Sequence, residues 1–116
     1  MTVGIDTVEI TRIQKALEIR GFKERVYSPA ELEMLEKKGR PAQSFAANFA
    51  AKEAFSKALG TGVVGFSLNE VSILRDKRGA PYIELSGRAE ELAKGKSFTV
   101  SLTHTRLDAT AIVIAY

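Results

Sequence analysis

Residues 42–59 run without a glycine or a proline, are dense in alanine, and carry Phe45, Phe49 and Phe55. Alanine is the strongest helix former, so this stretch predicts the longest helix of the chain. Its charged residues are Lys52, Glu53 and Lys57. In a chain of 116 residues there is room for one compact domain, spanning residues 1–116, and not for two independent cores.

The flanking patterns complete an α+β reading. Residues 3–8 alternate as a short β-branched strand, with Gly4 and Asp6 on one side of it. Ile10, Ile13 and Leu17 recur at helical spacing, which predicts a helix over 9–20 stopped by Gly21. Ser28-Pro29-Ala30-Glu31 combines an N-cap serine, a proline at the first helical position and a capping-box glutamate, and Gly39 marks the end of that helix. Residues 71–75 and 82–85 flank Asp76-Lys77-Arg78-Gly79-Ala80-Pro81 as a hairpin. A short helix over 88–94 and strands over 98–102 and 109–115 close the chain, turning around residues 104–108. The expected architecture is an antiparallel sheet packed against the long helix.

Several function classes fall away on composition. With 45% apolar and 27% charged residues the chain is an ordinary globular sequence and not a disordered one. Cysteine is absent, so no disulfide scaffold and no thiolate zinc site can form. No apolar run approaches the ~20 residues of a membrane-spanning helix, and Met1-Thr2-Val3-Gly4-Ile5-Asp6 lacks the basic start of a secretory signal. A cytoplasmic address is the expectation. The net charge of +3 is mild for a nucleic-acid binder, but it suits an acidic partner or a phosphate-rich ligand.

Glu53 and Lys57 stand four apart, so they share one helix face, with Ala46 and Ala50 above them. Taken alone they form a helix-stabilising pair worth ~0.2–0.5 kcal/mol. Asp6-Thr7-Val8-Glu9 likewise fits a capping box, with Asp6 accepting from the amides of the next helix. Together, however, Asp6 and Glu53 supply two hard oxygen ligands from different elements. Magnesium typically takes one or two carboxylates and completes its shell with waters and substrate phosphates. Lys57, one turn beyond Glu53, would meet the same phosphates as a point charge.

Gly4-Ile5-Asp6-Thr7-Val8-Glu9, then Phe49-Ala50-Ala51-Lys52-Glu53-Ala54-Phe55-Ser56-Lys57-Ala58-Leu59-Gly60-Thr61-Gly62, then Ser101-Leu102-Thr103-His104-Thr105 resemble the successive signatures of holo-acyl-carrier-protein synthases. They come in that family's order and at about its spacing. The resemblance implies the 4′-phosphopantetheinyl transferase fold and transfer of 4′-phosphopantetheine from coenzyme A to a serine of apo-acyl-carrier protein, for fatty acid biosynthesis. It further implies that Asp6 and Glu53 bind magnesium, which bridges to the pyrophosphate, and that Lys57 contacts the phosphates with Lys52 beside them. Glu53, or a water on the metal, would deprotonate the serine, a weak nucleophile without such help. A homotrimer with active sites between subunits is also implied.

Gly60-Thr61-Gly62 stops the long helix, with Gly60 expected in a left-handed conformation. By resemblance the same loop lies against coenzyme A. No lysine-serine or lysine-threonine pair follows it, so it is not a Walker loop. His104, the single histidine, reads by itself as an exposed turn residue; by resemblance it and Ser101 border the nucleotide. One departure stands out: the family usually has an arginine where this chain has Asn48, and Arg40 is the basic residue considered as compensation.

Arg12, Lys15, Arg20, Lys23 and Arg25 make the first helix and the segment after it basic. Such a run is ordinarily a solvated face. Since the family docks its acidic carrier there, Arg12 and Arg20, with Ile13 and Phe22 nearby, are the expected carrier contacts. Two rival readings are a non-catalytic module that grips coenzyme A or a carrier, and a basic nucleic-acid domain. Retention of Asp6, Glu53 and Lys57 argues against the first, and the modest charge against the second.

Overall fold

The structure, a computed structural model, describes residues 1–37, 39 and 41–116. The compensating role considered for Arg40 lies outside the described residues. In chain order the elements are β1 (Thr2–Glu9), α1 (Ile10–Ala16), α2 (Phe22–Val26), α3 (Pro29–Glu36) and α4 (Pro41–Leu59). After a 3-10 turn at Leu68–Glu70 come β2 (Val71–Arg75), β3 (Pro81–Leu85), α5 (Gly87–Leu92), β4 (Phe98–His104) and β5 (Asp108–Ala115). Among the described residues no helix is long and apolar enough to cross a membrane.

The α+β expectation holds, with a refinement. The antiparallel strands form two sheets, a three-stranded one in the order β1-β5-β4 and the separate hairpin β2-β3. Asp6 pairs with Ala111, which pairs in turn with Leu102. Gly4, Asp6 and Val8 therefore share the inner face with Ala109, Ala111 and Val113, and α4 lies across it. Ala46, Ala50, Ala54 and Ala58 of α4 are buried in the core, while Phe45 packs on Tyr27 and Phe55 against Phe66 and Phe98. Alanine side chains let helix and sheet approach closely, and Gly4 marks where they come closest. A Cβ built on Gly4 would sit 2.0 Å from the Ala54 carbonyl oxygen and 2.7 Å from the Ala58 nitrogen. Both obstacles are backbone, so nothing there can swing aside. Gly4→Ala is expected to cost about 3 kcal/mol, the upper end of overpacking penalties, read as a lowered denaturation midpoint at unchanged m.

The outer face of the sheet is different. Val3, Ile5 and Ile112 are 59%, 57% and 37% exposed there, an apolar surface left uncovered on a single chain.

Two local expectations change. β1 runs on to Glu9, and Glu9 becomes the N-cap of α1 without a side-chain cap bond. Asp6 is thus a mid-strand residue, and the capping reading of it falls. The first helix also ends at Ala16 and not near Arg20, and a separate short helix, α2, follows Gly21. Phe22 and Val26 stand one turn apart in α2, too brief a run for periodicity to reveal. The Ser28 capping box forms as expected: Ser28 N donates to Glu31 Oε1 at 3.0 Å and Glu31 N to Ser28 Oγ at 3.2 Å.

Candidate active site

Alternation along β1 aims Asp6 inward, toward the α4 face that carries Glu53 and Lys57. Lys57 Nζ donates to the Ile5 carbonyl at 2.8 Å and lies 3.4 Å from Asp6 Oδ1. The Lys57 side chain is 54% exposed and that of Asp6 21%, so the pair borders solvent and is worth at most about 1 kcal/mol. Glu53 joins them. Its pKa is raised, first by burial and then by repulsion from Asp6, while Lys57 and Arg12 pull it down. Strand β1, helix α4 and helix α1 each contribute a charge to one locus.

Two carboxylates near enough to repel each other, rimmed by cations and open to solvent, fit a hard divalent ion that brings other ligands with it. Among the described residues no cluster of three or more His, Cys, Asp or Glu side chains forms a self-sufficient metal cage. Asp6 and Glu53 could hold a hard cation only together with ligands from water or substrate.

Lys52 does not belong to this locus, and the expectation that it lies beside the phosphates is corrected. Its side chain is fully buried. One residue before Glu53, it is turned about 100° around the helix, into the interior. Its ammonium donates to Glu31 Oε1 at 2.5 Å, to the Leu68 carbonyl at 3.1 Å and to the Val71 carbonyl. All three donors of a lysine are thereby committed. Burial depresses its pKa, and Glu31 opposes that effect. Asn48 belongs to the same buried network, donating to Glu31 Oε2 and to the Ile73 carbonyl, each at 2.9 Å.

Gly60, Thr61 and Gly62 lie exposed beyond α4. Gly60 takes φ 88°, as the helix stop requires, and its amide donates to Ser56 O at 3.1 Å. Ser101 and His104, three apart on β4, point to opposite faces of the sheet. Ser101 is exposed on the outer face, opposite Ile112. His104 borders a cleft of about 160 Å³ with Gln43, Ser44, Ala47, Arg75, Leu102 and Thr103. A larger, open cavity of about 800 Å³ lies between β3, α5 and β4 and contains none of the expected site residues. Neither cavity includes Asp6, Glu53 or Lys57.

The basic segment also divides. Arg12 and Arg20 are exposed, but Ile13 is only 2% exposed, so the expectation that it contacts a partner is corrected. The helical spacing with Ile10 and Leu17 already places Ile13 in the core. Phe22 is partly buried, stacked on Phe49 at 6.4 Å and edge-on to Tyr27 at 6.3 Å. The apolar residue offered to solvent here is Ile19, 59% exposed, and its place off the Ile10–Ile13–Leu17 stripe is the signal for it.

A small α+β chain that gathers two carboxylates and a lysine where a strand crosses a helix has charges suited to handling a phosphate-bearing substrate. Residues 2–112 match the family model described as the 4′-phosphopantetheinyl transferase superfamily, and the chain belongs to that superfamily. Within it the likeness narrows to one kind. The holo-[acyl-carrier-protein] synthase of Treponema denticola is 45% identical over 97% of this chain and 94% of its own length. That of Fusobacterium nucleatum is 41% identical over 97% and 95%. The crystal structure of Helicobacter pylori holo-[acyl-carrier-protein] synthase in complex with coenzyme A superposes with a TM-score of 0.84 at 34% identity, covering 98% of this chain and 99% of that one. The corresponding Neisseria meningitidis structure gives 0.91 at 30% identity, covering 99% and 97%.

Proposed function

We propose that the chain is one phosphopantetheinyl transferase domain over residues 1–116 that transfers 4′-phosphopantetheine from coenzyme A to a serine of apo-acyl-carrier protein. Adenosine 3′,5′-bisphosphate is released, and the role is carrier activation for fatty acid biosynthesis in the cytoplasm. The observation that carries this reading is the meeting of Asp6, Glu53 and Lys57 where β1 crosses α4.

The chemistry follows from charge. The serine Oγ–phosphorus bond forms as the bond from that phosphorus to the leaving phosphate of the nucleotide breaks. Lys57 sets a positive charge beside the pyrophosphate, where it attracts the substrate and steadies the leaving group. Glu53, or a water on bound magnesium, would take the serine proton. Asp6 and Glu53 would hold magnesium, which when bound supplies the remaining neutralisation of the pyrophosphate.

Gly60, Thr61 and Gly62 line the coenzyme approach, Ser101 and His104, on opposite faces of the sheet, border the nucleotide, and the active sites lie between subunits of a homotrimer. Support for that assembly comes from the uncovered Val3, Ile5 and Ile112 face. The test is direct: apo-carrier, coenzyme A and magnesium are incubated with the protein, and the carrier is weighed. A gain of one phosphopantetheine is expected, and an unchanged mass across several carriers would refute the activity.

Arg12 and Arg20 dock the acidic carrier, with Ile19 the apolar side chain nearest to hand. Electrostatic docking acts chiefly on encounter and fades with salt. Arg12→Ala is expected to raise the carrier KM about tenfold at low salt, with a much smaller change in the coenzyme A KM. Equal effects on both would remove the docking role.

A further inference from the structure

The turn between β4 and β5, Thr105-Arg106-Leu107, holds an exposed leucine and an exposed cation beside the start of α1. Leu107 is 64% exposed. The turn is tied down on both sides. Thr105 Oγ1 accepts from the Leu107 and Asp108 amides at 3.1 and 3.0 Å, and the Thr105 amide donates to the Asp108 carbonyl at 2.8 Å. The Leu107 carbonyl in turn accepts from the amide of Ile10, the first residue of α1, at 2.9 Å. That bond satisfies one of the amides that a helix start leaves without a partner. The leucine is thus held out to solvent by a fixed backbone, and little backbone freedom is left to lose when something covers it.

A single exposed leucine is ordinary on a protein surface. Here the neighbours give it meaning. Arg106 makes no salt bridge among the described residues, and neither do Arg12 and Lys15 of α1. Ile19, also exposed, lies past the other end of that helix. An apolar side chain therefore stands at each end of a basic helix, which suits a partner whose surface alternates carboxylates with apolar side chains. The acids of this corner, Glu9 and Asp108, are partners in register on the outer face of the sheet, whereas α1 packs against α4 on the inner side.

Register also sets the distance from the chemistry. Asp6 pairs with Ala111 and Glu9 with Asp108, so Leu107 stands level with Ile10, four residues on from Asp6. At about 3.3 Å per strand residue that is at most about 13 Å. A transient interface of about 600 Å² per partner is about 28 Å across. A carrier that brings its serine to the Asp6–Glu53–Lys57 locus therefore reaches the turn even when centred on that locus.

We propose that the β4–β5 turn is a second docking element for the acidic carrier, with Leu107 seated on an apolar spot of the carrier's surface and Arg106 facing one of its carboxylates. The proposal rests on the reading in which α1 docks the carrier. The helix supplies attraction, and the turn sets how far along α1 the carrier sits.

Transfer rates at saturating coenzyme A and magnesium, with apo-acyl-carrier protein varied, test this in the parent, Leu107→Ala, Leu107→Asp and Arg106→Ala. Leu107→Ala is expected to raise the carrier KM about threefold to tenfold, the scale of uncovering one apolar side chain. Leu107→Asp, which sets a like charge against an acidic partner, should raise it about tenfold or more. The coenzyme A KM should stay put in all three. The Leu107→Ala effect should persist as salt is added, while that of Arg106→Ala fades. An unchanged carrier KM in Leu107→Asp, or equal rises for carrier and coenzyme A, overturns the proposal. Arg12→Ala, run alongside, separates the two readings. A carrier KM raised there but not in Leu107→Asp overturns the role of the turn and leaves that of the helix; no rise in either removes both. A parent that transfers nothing strikes the transferase reading, and calorimetry with the same apo-carrier then decides the turn. Weaker binding by Leu107→Asp supports it, and equal binding overturns it.

Discussion

Glu53→Ala is expected to lower transfer by roughly a thousandfold or more, the scale of losing a group that acts on developing charge, while the fold stays intact. Asp6→Ala should do nearly the same. Neither change opens a hole in the core. The Glu53 side chain receives no hydrogen bond from the described residues, and Asp6 gives up only its solvent-bordering contact with Lys57. Because the two carboxylates repel, removing either relieves strain in the metal-free protein, and its melting temperature should hold or rise slightly. Magnesium makes the test sharper. A ligand bound only by the folded state raises the melting temperature in proportion to the logarithm of its concentration. The parent should show that rise, and both variants should lose it. Near-normal rates in either variant at limiting magnesium would take that residue out of the site.

The other large effect lies in the interior. Glu31→Ala is expected to destabilise the protein by about 3–5 kcal/mol, the usual cost of leaving one member of a buried ion pair alone. Against a typical stability of about 5–15 kcal/mol that is enough to threaten folding. Glu31 caps α3, accepts from Asn48 and neutralises Lys52, so its loss takes a bond from the cap and from Asn48 and leaves the Lys52 charge buried with carbonyl partners alone. Lys52 has a folded-state pKa below its unfolded one, so stability from this group rises with pH between the two. Without Glu31 the depression deepens, and the damage should be smaller near about pH 9 than near about pH 6. The double variant Glu31→Leu/Lys52→Met should recover much of the loss, since apolar replacement of a whole buried pair is often neutral. Denaturant melts of the single and double variants measure this. Additive losses would mean that the two side chains do not act as a pair.

Much of this was legible in the residues, and where it was not the reason is physical. Glycine and proline punctuation gave α4, the hairpin and the start of α3 nearly to the residue, though α3 ends at Glu36, short of Gly39. Asp6 was ambiguous because a short acidic side chain before a helix serves equally as a cap and as a strand ligand. Only the length of β1 separates the two. Lys52 and Lys57 sit in one motif on a helix that is apolar on almost every side, so no stripe reveals which lysine points inward. The correct sign for Ile13 was present in its spacing, and the docking assignment, borrowed from resemblance, ran against it. The bond from Arg75 to Asn48 left no local trace. The two lie 27 positions apart, and a contact that distant appears only once the hairpin has folded onto α4.

Lys52 and Glu53 are chain neighbours with opposite duties. The lysine, gripped by a carboxylate on α3 and by carbonyls beside β2, fixes the rotation of α4 about its own axis. The glutamate beside it takes its aim from that setting. Slipping the helix by one position would bring an alanine or a glutamate to the buried grip and swing the carboxylate away from Asp6. The direction in which Glu53 points outward is therefore decided by an ion pair that never meets solvent.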